Sequence, residues 1–400
     1  MAKSRDVRQN EFRLFLVGTE FFRPTGGIQY VNRLLLRAFL EFARKTPMRM
    51  EVFAYGDVPG AARPAWCQSD AVEWHAFGRQ PAAMVPRLGQ RLAQGQPHLA
   101  LFTHVHLLRL APLAQLLAPG TRRAVLGHGV EVWEPLRADI LHALHQAQAV
   151  VAPSAFTRQR LIERNGAAPE RVSVIAHGLD PEWAAERRTS HGTKRSGHTL
   201  LSVTRLDRAD AYKGIDEMIR AMPAVLERCP EAQYVIAGDG NDRGRLEGMA
   251  RKRRLGERVR FLGEVRADEL RRLYATADVF VLPSRKEGFG IVFLEAMWHG
   301  LPVVAARTGG TTDVVEDGVT GVLVPPENPV QLVHAVSGLL LLPEERTKLG
   351  QAGRRRVEEN YLFEHFAKRW QRWLAMVVPE AIYLARHTAA FAARAAARGN

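Results

Sequence analysis

The sequence predicts an α/β protein built on two Rossmann-like, doubly wound parallel sheets, and three observations predict it. Short apolar runs alternate with amphipathic stretches along nearly the whole chain, the runs fall into two sets, and a polar, aperiodic segment separates the sets. Four hundred residues suffice for two hydrophobic cores at roughly 150 residues per domain.

In the first set, strands are expected at residues 13–17, 50–55, 71–76, 99–103, 123–126, 150–153 and 172–175, with helical patterns between them, notably over 28–44. The separating segment is AAERRTSHGTKRSGH, residues 184–198, and reads as a linker. The second set has strands at 200–204, 234–237, 259–262, 279–283, 303–305 and 321–324. Beyond residue 344 the pattern is helical throughout. Pro379 there parts a helix over 362–378 from an Ala/Arg-rich tail that ends at Asn400. The expected organisation is therefore a domain over 1–183, a linker over 184–198, a domain over 199–360 and terminal helices over 361–400.

Composition narrows the function classes. Hydrophobic residues make up 46% of the chain and charged residues 24%, which excludes disordered and fibrous proteins. Cys67 and Cys229 fit neither a disulfide framework nor a zinc spacing, and point to a reducing compartment. No apolar run reaches the ~18 residues of a membrane span, and residues 1–8 are polar, so the expectation is a cytoplasmic protein without a signal peptide. The net charge of +14 favours polyanions or phosphate-bearing substrates. Only eight of the 56 basic residues are lysines. The arginine excess suits phosphate and carboxylate recognition, and equally fits a bias in gene composition.

Ligands of open α/β sheets bind at the carboxyl ends of the strands, so the post-strand loops carry the functional signal. After the first strand, Gly26 and Gly27 open an amphipathic helix, a phosphate-approachable helix mouth or simply a tight turn. After the strand at 200–204, Arg205 and Lys213 share one loop beside Gly214 and can clamp a diphosphate, or stand as solvated surface charges. The segment after 279–283 is the most informative: Glu287 lies in a two-glycine loop, and Glu295 interrupts an otherwise apolar helix, where a carboxylate needs a partner or a polar cleft. His128 sits between Gly127 and Gly129 at a strand end; His104 and His106 also follow a strand, and His177 reads as part of a turn.

Together these segments resemble the retaining glycosyltransferases of family 4, the group 1 glycosyltransferases of GT-B architecture. The likeness runs from about residue 13 to 373. Its most specific part is EGFGIVFLE, Glu287 and Glu295 separated by seven residues, followed by GLPVVA, TGG and DGVTG. GHGVEVW, VVAPSAFTRQRL, VIAHGLD, SVTRLDRADAYKG and YVIAGDG support it. The resemblance implies two Rossmann-like domains facing a cleft, with terminal helices crossing back to the first.

It also implies roles. Arg205 and Lys213 would neutralise the donor diphosphate, and Gly26 and Gly27 would meet it from the other domain. Glu295 would bond the ribose hydroxyls. Glu287 and the amides of Gly288, Phe289, Gly290 and Ile291 would hold the transferred sugar and adjacent phosphate. His128 would contact the sugar near the reacting carbon, and backbone at Phe261, Leu262 and Gly263 would contact the base. Two departures stand out: His177 occupies the position of the family's usual asparagine, and YKG follows a longer loop than the commonest form.

The implied function is metal-independent, retaining transfer of a hexose from a nucleotide-diphosphate sugar to a glycan, glycolipid or lipid-linked acceptor. Cell-envelope or exopolysaccharide synthesis is the expected setting, with no cofactor beyond the donor substrate. The alternative is a non-catalytic nucleotide-sugar-binding or scaffold protein on the same fold. Nucleic acid is not an expected partner, because aromatic interleaving and a recognised module are lacking. The tail over 382–400, with Arg386, Arg394 and Arg398 beside Tyr383, Leu384 and Phe391, reads either as a basic amphipathic helix on an anionic membrane or as a solvated, frayed end.

Overall fold

The structure, a computed structural model, describes residues 11–22, 26–185 and 198–380. Most of the expected linker and nearly all of the basic tail lie outside the described residues. The chain divides into two compact units, Met1–Ala176 with Glu364–Asn400, and His177–Phe363.

The first unit holds a seven-stranded parallel sheet of β1 (Phe12–Gly18), β2 (Met48–Ala54), β3 (Val72–Ala76), β4 (Leu99–Phe102), β5 (Arg122–Leu126), β6 (Ala149–Ala152) and β7 (Val172–Val174). Their order across the sheet is β3-β2-β1-β4-β5-β6-β7. The second unit has a six-stranded sheet in the order β10-β9-β8-β11-β12-β13. Its members are β8 (Thr199–Val203), β9 (Gln233–Ala237), β10 (Val259–Gly263), β11 (Val279–Leu282), β12 (Val303–Ala306) and β13 (Gly321–Val324). Each expected strand is present, displaced by no more than two residues at either end.

Near-continuous apolar strands form because both faces are covered by helices. All residues of β4, β6, β11 and β12 are buried, and β1 pairs in parallel register with both β2 and β4. In each sheet the strand order reverses once, between β1 and β4 and between β8 and β11. Loops diverge at such a reversal and open a crevice, which places the ligand-facing loops of each unit after these strands.

The helix Gly27–Ala43 follows β1 and buries Val31, Leu34, Leu35, Ala38 and Phe39 on one stripe. The helix Phe363–Val377 corresponds to the expected helix over 362–378. From Glu364 it belongs to the first unit, where Trp370, 1% exposed, meets Phe39 edge-on with ring centroids 5.9 Å apart. Burying an aromatic pair of this kind contributes ~0.5–1.5 kcal/mol beyond area burial. Among the described residues, no helix is long and apolar enough to cross a membrane.

Candidate active site

Arg205, Lys213, Glu287 and Glu295 gather at the strand reversal of the second unit, whereas Phe261, Leu262 and Gly263 end the edge strand β10. The backbone leaves β8 through Arg205, turns through the short helix Arg208–Lys213, and enters the helix Ile215–Arg228 at Gly214. Gly214 has φ 77°, and a Cβ there would stand 2.4 Å from the Pro283 carbonyl oxygen, so only glycine lets the loops after β8 and β11 touch. That contact brings Lys213 to Glu287, Nζ to Oε2 at 2.7 Å, across 74 residues of sequence. Both side chains are largely withdrawn from solvent, 20% and 11% exposed.

Arg205 is more open, at 59% exposure, and its Nη2 meets Asp210 Oδ2 at 2.8 Å. The Tyr212 hydroxyl donates to the other Asp210 oxygen at 2.9 Å, and burial together with the Asp210 charge pushes that hydroxyl's pKa up. Sequence reasoning singled out both cations and missed Asp210 and Tyr212. Asp210 lies in the extra length of the loop before YKG, which was the available signal, and Tyr212 is the first residue of YKG itself.

The loop after β11 is pinned by its backbone. Arg285 N–H donates to the Tyr212 carbonyl at 2.7 Å, and Gly310 N–H to the Glu287 carbonyl at 2.7 Å. Gly290, at φ 90°, then opens the eight-residue helix Ile291–Trp298. No side chain caps that helix and no acidic residue lies in its first turn; the Phe293 N–H is taken by the Gly290 carbonyl at 3.0 Å, and the amides before it face the loop with the helix dipole.

Glu295 sits one turn further along, 8% exposed, and accepts from the Tyr274 hydroxyl at 2.9 Å. Burial pushes its pKa up to about 7, with Asp180 adding to the rise while the Tyr274 bond and Arg271 oppose it. The partner that the sequence requires for Glu295 is therefore Tyr274, fully buried on the helix Ala267–Thr276. Phe261, Leu262 and Gly263 end β10 in a register shift. Two of their carbonyls are engaged, Gly263 by Gly238 N–H at 2.8 Å and Phe261 by Arg243 Nη2 at 3.4 Å.

In the first unit, Gly26 and Gly27 start the 17-residue helix that follows β1, again with no side-chain cap and no acidic residue in the first turn. Glu20, 9% exposed, is bonded by Arg79 Nη2 at 2.8 Å and by Gln29 Nε2 at 3.2 Å. His128 follows β5 and donates from Nε2 to the Thr103 carbonyl at 2.6 Å, while its own N–H donates to the Glu131 carboxylate. His104 stacks on His128 with centroids 5.7 Å apart and touches His106 at 4.9 Å. Burial, then the His128 charge, lowers the His104 pKa to about 4, so it stays neutral near pH 7. His177 belongs to the second unit, its ring edge-on to Phe289 at 5.0 Å.

A third cluster, Glu51, Glu73 and His75, offers ligand atoms within 4.8 Å of one another. Arg91 bridges both carboxylates at 2.6 and 3.0 Å and Arg87 reaches Glu73 at 3.5 Å, so the cluster stands as an ion-pair network on β2 and β3.

The geometry supplies anion-directed amides, two cations on fixed counter-ions and a buried carboxylate, and the chain as a whole is similar to known proteins. A family model described as glycosyl transferases group 1 matches residues 185–356, and one described as Glycosyltransferase Family 4 matches residues 25–183. An uncharacterized glycosyltransferase of Methanocaldococcus jannaschii is 37% identical over 208 residues, 50% of this chain and 52% of that protein. A GDP-mannose-dependent α-(1-6)-phosphatidylinositol monomannoside mannosyltransferase of Mycolicibacterium smegmatis is 35% identical over 274 residues, 63% of this chain and 70% of that protein. Among solved structures, sucrose-phosphate synthase from Thermosynechococcus elongatus has a TM-score of 0.76 at 21% identity, covering 92% of this chain and 99% of its own. Anabaena HepE in complex with UDP and glucose has a TM-score of 0.70 at 21% identity, covering 90% and 99%. These two structural likenesses concern the fold.

Proposed function

The chain belongs to the group 1 glycosyltransferases, family 4, and from that membership we propose that it transfers a hexose from a nucleotide-diphosphate sugar to a glycan, glycolipid or lipid-linked acceptor, with retention of anomeric configuration. The observation that carries the proposal is the Lys213–Glu287 pair at 2.7 Å beside the uncapped helix mouth at Gly290. A cation, a carboxylate and unneutralised amides there match the three parts of a sugar diphosphate: leaving phosphate, sugar hydroxyls and bridging oxygen.

When the anomeric C–O bond to phosphate breaks, negative charge grows on the diphosphate and positive charge on the sugar. Groups already fixed before that moment lower the barrier without reorganising. In this reading Arg205 and Lys213 take the diphosphate charge, and the amides of Gly288, Phe289, Gly290 and Ile291 meet its oxygens. Glu287 holds sugar hydroxyls and steadies Lys213. Glu295 accepts from the ribose hydroxyls, and backbone at Leu262 meets the base beside the engaged carbonyls of Phe261 and Gly263. Gly26 and Gly27 offer their helix mouth to the donor diphosphate, and His128 presents its imidazole to the sugar. An acceptor oxygen bonds to the anomeric carbon on the face the phosphate leaves, and its proton passes to a donor phosphate oxygen. Charge neutralisation by two fixed cations makes this a metal-independent chemistry. The relatives named above, one GDP-mannose-dependent and one bound to UDP, leave guanine and uracil donors both to be tested, and the mycobacterial enzyme's phosphatidylinositol mannoside supports a cell-envelope setting.

Thermal stabilisation by a panel of UDP-, GDP- and ADP-sugars, followed by turnover of the best binder with and without candidate acceptors, tests the reading. Stabilisation by one nucleotide class with release of its diphosphate is expected. Binding without any sugar release, even by hydrolysis, would make the chain a nucleotide-sugar-binding protein instead.

A further inference from the structure

The first unit carries an aromatic cluster that the proposed chemistry does not use. Phe21 and Phe22 lie in the loop after β1, Trp66 in the turn Ala65–Cys67, and Trp74 in the middle of the edge strand β3. Phe22 stands 6.2 Å from Trp66 and 5.4 Å from Trp74 between ring centroids, and Phe21 backs Trp74 edge-on at 5.1 Å. Phe21 is buried, whereas Phe22, Trp66 and Trp74 are half-buried and keep apolar surface in contact with solvent.

Two arginines lie on this shelf. The Arg37 guanidinium is 4.4 Å from the Trp66 ring centroid, and that of Arg63 is 5.2 Å from Trp74. Arg33, one helical turn before Arg37, donates to the Phe21 carbonyl at 3.0 Å. The shelf is held in shape by its backbone. Asp57 accepts from Phe21 N–H at 3.2 Å and Phe22 N–H at 3.3 Å. Cys67 Sγ donates to the Pro64 carbonyl at 3.0 Å, and Gln68 Nε2 to the Arg63 carbonyl at 3.3 Å.

Phe21 is packed in the interior, while the other three rings keep apolar surface in reach of solvent and two of them carry a guanidinium. A site for a neutral sugar would need the rings without the arginines. Partly exposed rings with guanidinium forks laid on them combine an apolar face for sugar C–H groups with planar donors for a phosphate or carboxylate. The overall charge of +14 adds long-range attraction for such a ligand. Resting on the glycosyltransferase reading, we infer that Phe22, Trp66 and Trp74 with Arg37 and Arg63 form an acceptor subsite that recognises a negatively charged sugar.

The test uses the full chain labelled with 5-fluorotryptophan, its Trp66 and Trp74 fluorine resonances assigned by Trp66→Phe and Trp74→Phe. Glucose 6-phosphate and glucuronate are expected to shift both resonances saturably, glucose and inorganic phosphate alone to leave them in place, and Arg37→Gln or Arg63→Gln to weaken binding about tenfold or more, the loss of one charged hydrogen-bonding group. Nucleotide-sugar stabilisation should be the same in Arg63→Gln as in the wild type. No shift with either anionic sugar overturns the inference, as does an equal shift with inorganic phosphate, which is an adventitious ion only. A response confined to phosphatidylglycerol vesicles assigns the shelf to a lipid surface and overturns it as well. A parallel fall in donor stabilisation in Arg63→Gln would move the shelf into the donor site, against the inference. Should the wild type bind no nucleotide sugar at all, the glycosyltransferase reading fails separately, while the fluorine titration still decides whether the shelf takes an anionic sugar.

Discussion

Two helices in this molecule begin on the same device and stand in different surroundings. Gly27–Ala43 in the first unit and Ile291–Trp298 in the second both start at a glycine, carry no capping side chain and have no acidic residue in the first turn. At the second mouth the preceding loop brings Glu287 to Lys213, a fixed opposite-charge pair. At the first, Glu20 is taken up by Arg79 and Gln29, and the nearby Asp57 by backbone N–H groups. An uncapped helix start attracts any anion by roughly 0.3–1 kcal/mol at an exposed site. Both mouths thus stand beside an ion pair; Lys213 is the more withdrawn cation, 20% exposed against 61% for Arg79, and in the proposed function it meets charge that develops during the reaction.

The sharpest way to break that contrast is Lys213→Ala. It removes the cation and leaves Glu287 buried without its partner, so kcat/KM for the donor should fall on the order of a hundredfold, about 3 kcal/mol. Far-UV circular dichroism should remain native. Near-wild-type turnover would remove Lys213 from the proposed chemistry.

A second contrast lies in two buried titratable groups with opposite signs. Glu295 has its pKa raised in the fold to about 7, so its protonated form fits the site, and its contribution is complete below the unfolded carboxyl value. That contribution is lost as pH rises through 7, by about 3 kcal/mol at most. His104 is lowered to about 4, so its contribution is complete above the unfolded imidazole value and is lost as pH falls from about 6.5 toward 4. Hydrogen exchange across pH 5–8 should therefore show the helix Ile291–Trp298 loosening toward alkaline pH and the β4–β5 loops loosening toward acid. Glu295→Gln should abolish the first trend and leave the second. The same direction of change in both regions would refute the assignment.

The smallest expected difference separates the two glycines. At Gly290 a Cβ would lie 2.2 Å from the buried Phe293 ring at a φ of 90°, so Gly290→Ala should cost roughly 1–3 kcal/mol and lower Tm by several degrees. At Gly26 the Cβ would meet the end of the Gln29 side chain at 2.2 Å, and the backbone, at φ 157° and ψ 148°, is likewise one that suits glycine. Gly26→Ala should therefore lower Tm as well, by less than Gly290→Ala because its close contact is a side-chain end and not a buried ring, and calorimetry on the two variants compares them directly.

Much of this was legible before any coordinates. The apolar runs of β4, β6, β11 and β12 have no polar alternation, and only a parallel sheet covered on both faces accommodates that, so the strands fall where the pattern puts them. Glu295 in an apolar helix announced its need for a partner. Its partner Tyr274 was not legible, because Tyr274 lies in a different helical pattern, amid residues that read only as amphipathic. Asp210 was visible only as extra loop length and Tyr212 only as a letter of YKG, since nothing in a loop's composition says which of its side chains turns back on a neighbouring arginine. The shelf of Phe22, Trp66 and Trp74 was missed for the same reason, three aromatics scattered over three segments.

What the chain determined by itself is local: hydrophobic period, glycines where left-handed turns are needed, and the residue types in each post-strand loop. Which loop faces which was decided by the order of strands in each sheet. Placing β11 against β8 brought Lys213 and Glu287 together across 74 residues, and the same chain paired otherwise would have kept both motifs and lost the contact. The reason is that hydrophobic patterning specifies that a strand is buried, while the choice of its neighbour rests on helix packing and close approaches such as Gly214 on Pro283, which exist only once the sheet has formed.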